Sequence, residues 1–149
     1  MEVGGILERM FRLPENFAVP NVLYVEELEE HHPELLGLGL SVLEINENYM
    51  REAYRLGDLY KKIGHHDVLA LALAKQEQCP LLTGDLYLRE AANSEEVSIC
   101  GTLWIVERLF ELEIIDYDTA ANAYTLMRDE GRRLPWDKVE QQLQRFSDT

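Results

Sequence analysis

The sequence predicts a single α/β domain built on a parallel β-sheet flanked by helices. Short apolar runs alternate with longer amphipathic stretches along the 149 residues, and strands that alternate with helices are typical of parallel sheets. The chain contains no internal repeat, no low-complexity tract and no linker rich in Pro, Gly or Ser. Its length is that of one domain with a substantial core. In such sheets ligands bind beyond the carboxyl ends of the strands.

The N-terminal third predicts short elements separated by turns. Gly4–Phe11 is expected to form a short helix, and Phe17–Pro20 a brief extended segment. Asn21 is placed to cap the next helix, which Pro33 ends because proline cannot continue the helical hydrogen bonding. Ser41–Ile45 is rich in branched apolar residues and predicts a strand.

The most informative segment is HHDVLALALAKQEQ in the middle of the chain. A helix capped by Asn46 precedes it and is broken at Gly64. Asp67 stands where the next helix is expected to start, and the run VLALALA that follows contains strong helix formers. Because that helix is apolar nearly all round, we expect it to be buried deep in the domain.

The rest of the chain continues the alternation of strands and helices. CPLL predicts a short buried strand that leads into a turn at Thr83 and Gly84, and LYLREAA predicts one or two helical turns. EVSIC predicts another short strand, and TLWIVERLFELE an amphipathic helix. Two further helices are expected at about Asp118–Asp129 and Trp136–Phe146.

The chain is strongly acidic, with 28 Asp and Glu against 14 Lys and Arg and a formal net charge of −14. This balance argues against broad, non-specific nucleic-acid binding, which depends on clustered cations. It permits a nuclease whose carboxylates hold metal ions, because the ions then supply positive charge, and it also fits a basic partner. Most of the acidic side chains are expected to form a solvated surface.

Neither a membrane span nor a disulfide is expected. No stretch approaches the roughly 18 apolar residues that a transmembrane helix needs, and the first residues lack the pattern of a signal peptide. A soluble cytoplasmic protein is therefore the default prediction. Cys79 and Cys100 each lie in or beside a short apolar run, so we expect two reduced, buried thiols.

Several carboxylates are expected to converge at one edge of the sheet. Asp85 directly follows the CPLL strand, at its carboxyl end, and Asp67 begins the helix that leads into the same strand. Each acidic residue also has a simpler interpretation on its own. Asp67 fits an N-cap, Asp85 a turn residue, and Glu26, Glu27 and Glu30 a solvated helix face.

Taken together, these carboxylates favour a metal site. Like charges at one edge of a sheet repel one another unless a cation lies between them. Oxygen ligands with water in the remaining positions suit Mg²⁺ or Mn²⁺. Such ions orient an attacking water and stabilise the charge that develops on a phosphodiester, so phosphodiester hydrolysis is the predicted reaction class.

The segment HHDVLALALAKQEQCPLLTGDLYLREAA resembles the PIN domain family, especially its VapC-like toxins. The shared pattern is an Asp that opens an Ala/Leu-rich helix, a short apolar strand and then Thr-x-Asp. Upstream, AVPNVLYVEEL resembles the family segment in which a Glu before Leu joins the site, and GTLWIVERLFELEII resembles the helix after the last strand. The resemblance covers nearly the whole chain from about Gly4.

The resemblance implies a three-layer PIN-like fold and a metal-dependent endoribonuclease. Its catalytic residues and ligands for Mg²⁺ or Mn²⁺ would be Asp67, Asp85 and Glu27, with Glu26 as the alternative to Glu27. Thr83 would support the site. The implied partners are an RNA substrate, a small antitoxin protein and a second copy of the chain in a homodimer.

Two nearby residues have less specific interpretations. Arg89 follows Asp85 by one helical turn and either contacts phosphate or pairs with an acidic neighbour. His66 is interpreted as a loop or cap residue that could lie near the site, because neither histidine pair has zinc-ligand spacing.

The chain departs from the family pattern at its start. The family begins with a buried strand that bears an Asp, whereas MEVGGILERMF resembles the end of that unit. The expectation is therefore one PIN-like domain over residues 1–149 without its first strand: either Met1 is an internal methionine taken as the start, or the protein has lost the strand. In the second case neighbouring strands would keep unpaired backbone groups, and the metal site would lack one ligand.

Three functions compete on this basis. The first is the toxin-like ribonuclease. The second is a catalytically degenerate PIN-fold module for protein interaction, which the missing Asp and the net charge of −14 favour. The third is a small phosphatase or nucleotide hydrolase that uses the same carboxylates, and it ranks last because no nucleophile loop is visible.

Overall fold

A computed structural model describes residues 6–149, and the predicted start of the first helix at Gly4 lies outside them. The strands are β1 (Ala18–Pro20), β2 (Ser41–Leu43), β3 (Leu81–Leu82) and β4 (Ile99–Cys100). The helices are α1 (Leu7–Met10), α2 (Asn21–Leu23), a π-helix (Tyr24–Leu28), α3 (Glu34–Leu38), α4 (Glu47–Leu59), α5 (His65–Glu77), α6 (Leu86–Ser94), α7 (Thr102–Glu111), α8 (Tyr117–Asp129) and α9 (Trp136–Ser147). None of these helices is long and apolar enough to cross a membrane.

The strands form two small parallel sheets. β1 pairs with β2 in the register Ala18↔Ser41 to Pro20↔Leu43, and β3 pairs with β4 in the register Leu81↔Ile99. Within residues 6–149, β1 has no strand partner other than β2, and β3 has none other than β4. The parallel pairings, alternating with helices, confirm the predicted α/β class.

The contacts between Cα atoms divide the chain into two compact units. The strand-bearing unit is Asn16–Cys100 and carries all four strands that the structure describes. The helical unit is Gly101–Thr149 together with the residues up to Glu15.

Helix α5 is the centre of the strand-bearing unit. It packs against α2, α4, α6, β1 and β3, and its apolar side chains are almost all buried, as the nearly all-round apolar pattern predicts. The buried residues of α5 are Val68, Leu69, Leu71, Ala72, Leu73 and Ala74. Deep burial of this helix is therefore confirmed.

The N-terminal part of this unit differs from its sequence pattern. Asn21 is the first residue of α2 and not its cap, because Pro20 occupies the N-cap position in an extended conformation. The predicted single helix changes after one turn into the π-helix, and a short helix that the pattern did not predict, α3, follows Pro33. The cap of α4 is as predicted: the Asn46 side chain accepts a hydrogen bond from the Tyr49 N–H at 3.0 Å.

The two cysteines are free thiols, but the prediction that both are buried is wrong. Cys79 is exposed and Cys100 is partly buried. The reason is local: Gln78, the C-cap of α5, adopts a left-handed conformation with φ 53°, so Cys79 lies in the surface turn before β3.

The helical unit is held by aromatic packing and a buried amide. The rings of Phe110 and Phe146 stack with centroids 3.8 Å apart. The Tyr124 hydroxyl donates to Gln142 Oε1 at 2.5 Å, and Gln142 Nε2 donates to the Leu103 carbonyl at 2.9 Å. Burial raises the pKa of Tyr124, which keeps the phenol protonated as a donor.

An ion-pair network joins α4, α5 and the end of α6 in the strand-bearing unit. Lys75 Nζ contacts Glu52 Oε1 at 2.7 Å and Glu95 Oε1 at 2.8 Å. Glu95 also accepts hydrogen bonds from Arg55 and from the Tyr60 hydroxyl, both at 2.6 Å. Burial opposes ionisation of Glu95, but the hydrogen bonds from Lys75, Tyr60 and Arg55 outweigh it and lower its pKa to about 2.

We predict that Glu95→Gln destabilises the protein by about 2 kcal/mol at pH 7, because Lys75 keeps only one carboxylate partner while largely buried. A carboxyl with a lowered pKa stabilises the fold above its ordinary value of 4.5, and this stability disappears as the pH falls towards about 2. Urea unfolding measured between pH 7 and pH 2 should therefore show a weaker acid dependence for Glu95→Gln than for the wild type.

The exposed Glu90 on α6 provides the matched control for this measurement. Glu90→Gln should leave both the stability at pH 7 and its acid dependence nearly unchanged. Equal losses for the two variants would show that the network around Lys75 does not stabilise this unit.

Candidate functional site

Asp67 lies in the first turn of α5 but is not the N-cap. The helix begins at His65, and Gly64 occupies the cap position, so the predicted cap role is wrong by three residues. A carboxylate at this position faces the positive end of the helix dipole. Its side chain is therefore placed at the N-terminal end of the central helix without being the residue that caps it.

Asp85 is the N-cap of α6, at the carboxyl end of β3. Its Oδ2 accepts a hydrogen bond from the Leu88 N–H at 2.9 Å, and its own N–H donates to Thr83 Oγ1 at 3.1 Å. The Thr83 N–H in turn donates to the carbonyl of Cys100 at 2.9 Å, on β4. Thr83 thus ties the turn that carries Asp85 to the neighbouring strand.

Glu26 and Glu27 lie in the π-helix, a type of helix that occurs often at functional sites. Both carboxylates contact one imidazole: His66 Nε2 lies 2.5 Å from Glu26 Oε2, and His66 Nδ1 lies 2.5 Å from Glu27 Oε1. Two such hydrogen bonds need a proton on each ring nitrogen. The contact with Glu26 contributes most to raising the pKa of His66, burial opposes the shift, and Glu27 adds to it.

The structure places Asp67 within electrostatic reach of both Asp85 and Glu27. Burial is the main cause that raises the pKa of Asp67, and the charges of Asp85 and then Glu27 raise it further. In the part of the chain that the structure describes, however, no three His, Cys, Asp or Glu side chains are close enough to hold a metal ion together. The carboxylates therefore share a region but are not drawn into a coordination sphere.

Arg89 lies on α6 one turn after Asp85, and its N–H donates to the Asp85 carbonyl at 3.0 Å. Its side chain is exposed. The predicted pairing with an acidic neighbour is absent, since no carboxylate among residues 6–149 lies within 4.0 Å of the guanidinium.

The residue that the sequence interpretation underestimated is His66. It is helical and bridges two carboxylates, whereas a loop or cap residue was expected. The sequence did contain one indication of this role, because His66 is next to Asp67. If Glu27 approaches Asp67 in the fold, Glu27 also approaches His66. The glutamates of the two short contacts lie in the π-helix, which the sequence did not predict.

A family model described as a PIN domain matches residues 3–148. The chain belongs to the PIN domain family. No curated protein and no solved structure gives a significant match to it. The PIN domain match contains Glu27, Asp67 and Asp85 and spans residues of both compact units. PIN domains are generally dependent on divalent metal ions, which agrees with the chemistry of this set of oxygen donors.

We predict that Asp67→Asn stabilises the metal-free PIN domain by about 1 kcal/mol at pH 7. The isosteric amide removes a partly buried charge that Asp85 and Glu27 repel. The measurement is the urea midpoint in EDTA. Glu47→Gln is the control. Glu47 lies in the first turn of α4, as Asp67 does in α5, but its Oε1 pairs with Arg51 Nη2 at 2.9 Å. Removal of the Glu47 charge should therefore be neutral or slightly destabilising. Destabilisation of Asp67→Asn would contradict the predicted repulsion.

Proposed function

We propose that this PIN domain is an Mg²⁺- or Mn²⁺-dependent endoribonuclease of the VapC-like type, with Glu27, Asp67 and Asp85 as catalytic residues and metal ligands. The family supplies the nuclease-type fold. The observation that carries the proposal is the contact of Glu27 Oε1 with Nδ1 of His66, the residue next to Asp67, at 2.5 Å. Burial and then the charges of Asp85 and Glu27 raise the pKa of Asp67. Asp67 thus lies within electrostatic reach of two carboxylates from other segments, Asp85 and Glu27, and this repulsion is unfavourable without a cation.

The donor set fits the expected ion in chemistry and charge. Carboxylate oxygens are the ligands that Mg²⁺ and Mn²⁺ prefer. When bound, such an ion supplies an activated water and stabilises negative charge on the phosphodiester. Thr83 fixes the turn before Asp85 through its hydroxyl, and the exposed side chain of Arg89 is available to contact a phosphate.

Binding of the ion requires the carboxylates to move closer together, since no coordinating set exists among residues 6–149 without it. Glu27 shares one of its two oxygens with His66. It therefore either offers the second oxygen to the ion or leaves the imidazole. Asp85 likewise uses Oδ2 for its cap, and the other oxygen of its carboxylate would be available to the ion.

The narrower expectations extend this proposal by family resemblance. They are one domain over residues 1–149, a cytoplasmic toxin with an RNA substrate, a small antitoxin protein as its regulator, and a homodimer. The match of the PIN model over residues 3–148 supports treating the chain as one domain.

The alternative is a PIN-fold module for protein interaction that has lost its chemistry. The net charge of −14 and the lack of a closed coordinating set in the described residues favour it. Calorimetric titration with Mn²⁺ separates the two functions. Tight binding that Asp67→Asn abolishes supports the nuclease, whereas the absence of binding supports the module.

We predict that Asp85→Asn lowers Mn²⁺-dependent cleavage of single-stranded RNA by about 100-fold or more, because an amide is a neutral and poorer ligand. Asparagine caps a helix as well as aspartate does, so the fold should be retained. The measurement is cleavage of end-labelled RNA with Mn²⁺ and with EDTA, together with the thermal midpoint of both proteins.

Asp116→Asn provides the control for this substitution. Asp116 is the N-cap of α8 in the helical unit and accepts from the Thr119 N–H at 2.8 Å, as Asp85 accepts from Leu88. The same chemical change there should leave cleavage unaltered. If Asp85→Asn cleaves RNA at the wild-type rate with Mn²⁺, the assignment of the site is wrong.

A further inference from the structure

The strand-bearing unit contains few basic side chains, and most of them are occupied. The basic residues of Asn16–Cys100 are Arg51, Arg55, Lys61, Lys62, Lys75 and Arg89. Four of these form ion pairs with carboxylates of the same unit. Lys62 and Arg89 pair with no carboxylate in the described part of the chain. In a protein of net charge −14, these two cations are the ones in this unit that remain available to an anionic ligand.

Both available cations lie close to the segment that begins with Asp85. Lys62 is in the connection between α4 and α5, three residues before the first residue of α5. Its Nζ lies 5.0 Å from the centroid of the Tyr87 ring. Tyr87 is the second residue of α6 and follows Asp85 by two positions, while Arg89 follows Asp85 by one helical turn.

Tyr87 presents apolar surface to solvent at this position. The residue is 44% exposed, and its neighbour Leu86 is 59% exposed. A contact between an exposed ammonium and an aromatic ring contributes little to stability, so Lys62 is free to exchange the ring for a phosphate. Neither side chain is needed for the core of the unit, which consists of other residues.

A partly exposed aromatic ring beside an unpaired cation is the combination that binds single-stranded nucleic acid. The ring stacks on an unpaired base, and the cation contacts the backbone. Bases in a duplex are already stacked on one another, and sequence-specific binding to RNA accordingly favours single-stranded regions.

We propose that Tyr87 and Lys62 form a binding surface for single-stranded RNA beside the metal-binding carboxylates. Tyr87 stacks on one base, and Lys62 contacts an adjacent phosphate. Arg89 contacts a different nucleotide, since residues two positions apart on a helix do not share a face. This inference rests on the proposed function, because it assigns the path of the substrate towards Asp67 and Asp85.

The test is fluorescence anisotropy with the full chain and a labelled, unstructured 12-nucleotide RNA in EDTA, so that no RNA is cut. Tyr87→Ala and Lys62→Ala should each weaken binding by about 10-fold, and Tyr87→Phe should restore it because phenylalanine still stacks. Lys62→Ala should also reduce the slope of log Kd against log salt by about 0.7, the value for one phosphate contact on a single strand.

The chain offers a matched control for each substitution. Tyr54 is 73% exposed on α4, and Lys61 adjoins Lys62 but lies 3.8 Å from Asp58. Tyr54→Ala and Lys61→Ala should change the Kd by less than about 2-fold. If the test and control variants lose affinity equally, the proposed surface is wrong.

Cleavage with Mn²⁺ separates this inference from the proposed function. If the wild type cuts RNA and Tyr87→Ala cuts it with the same KM, the proposed surface is wrong and the nuclease assignment stands. A wild type that binds RNA through Tyr87 without cutting it supports the surface and overturns the nuclease. If the wild type neither binds nor cuts RNA, both are overturned.

Discussion

Burial of α5 is the constraint on which the strand-bearing unit depends. The helix packs against β1 and β3 as well as α2, α4 and α6, so strands of both small sheets rest on one apolar element. Its two ends then carry opposite electrostatic arrangements. The N-terminal end places Asp67 near other carboxylates, whereas the C-terminal end carries Lys75 between Glu52 and Glu95. Packing in the middle of α5 thus fixes a repulsive site at one end and a stabilising network at the other.

The carboxylates at the two ends of α5 differ in the positive charge that surrounds them. Glu52 and Glu95 are neutralised by Lys75 and Arg55, and hydrogen bonds from these cations help to lower the pKa of both carboxyls to about 2. The charge of His66 lowers the pKa of Asp67, but this imidazole is already shared between Glu26 and Glu27. A binding site requires charged groups that are not fully paired, because groups whose charges are already paired within the protein gain little from binding a ligand. Functional sites commonly retain such unfavourable arrangements at the expense of stability.

The sequence predicts those features that depend on periodicity and on residue type. The all-round apolar character of VLALALA predicts the burial of α5, and Asn46 predicts its own cap. The π-helix, the exposure of Cys79 and the bridging role of His66 depend on tertiary contacts or on one-residue shifts in the backbone, which no local pattern records. The proximity of Lys62 and Tyr87 is of the same kind, since the two residues belong to segments separated by the whole of α5.

The division into two compact units has a spectroscopic consequence. The chain has two tryptophans, Trp104 and Trp136, and both belong to the helical unit. Tryptophan emission therefore reports on that unit alone, while far-UV circular dichroism reports on the helices of both. Coincident denaturation curves from the two signals would indicate one cooperative transition. Separated curves would give each unit its own unfolding free energy. The part of the circular dichroism change that tryptophan emission does not follow would then report on the strand-bearing unit, without any engineered probe.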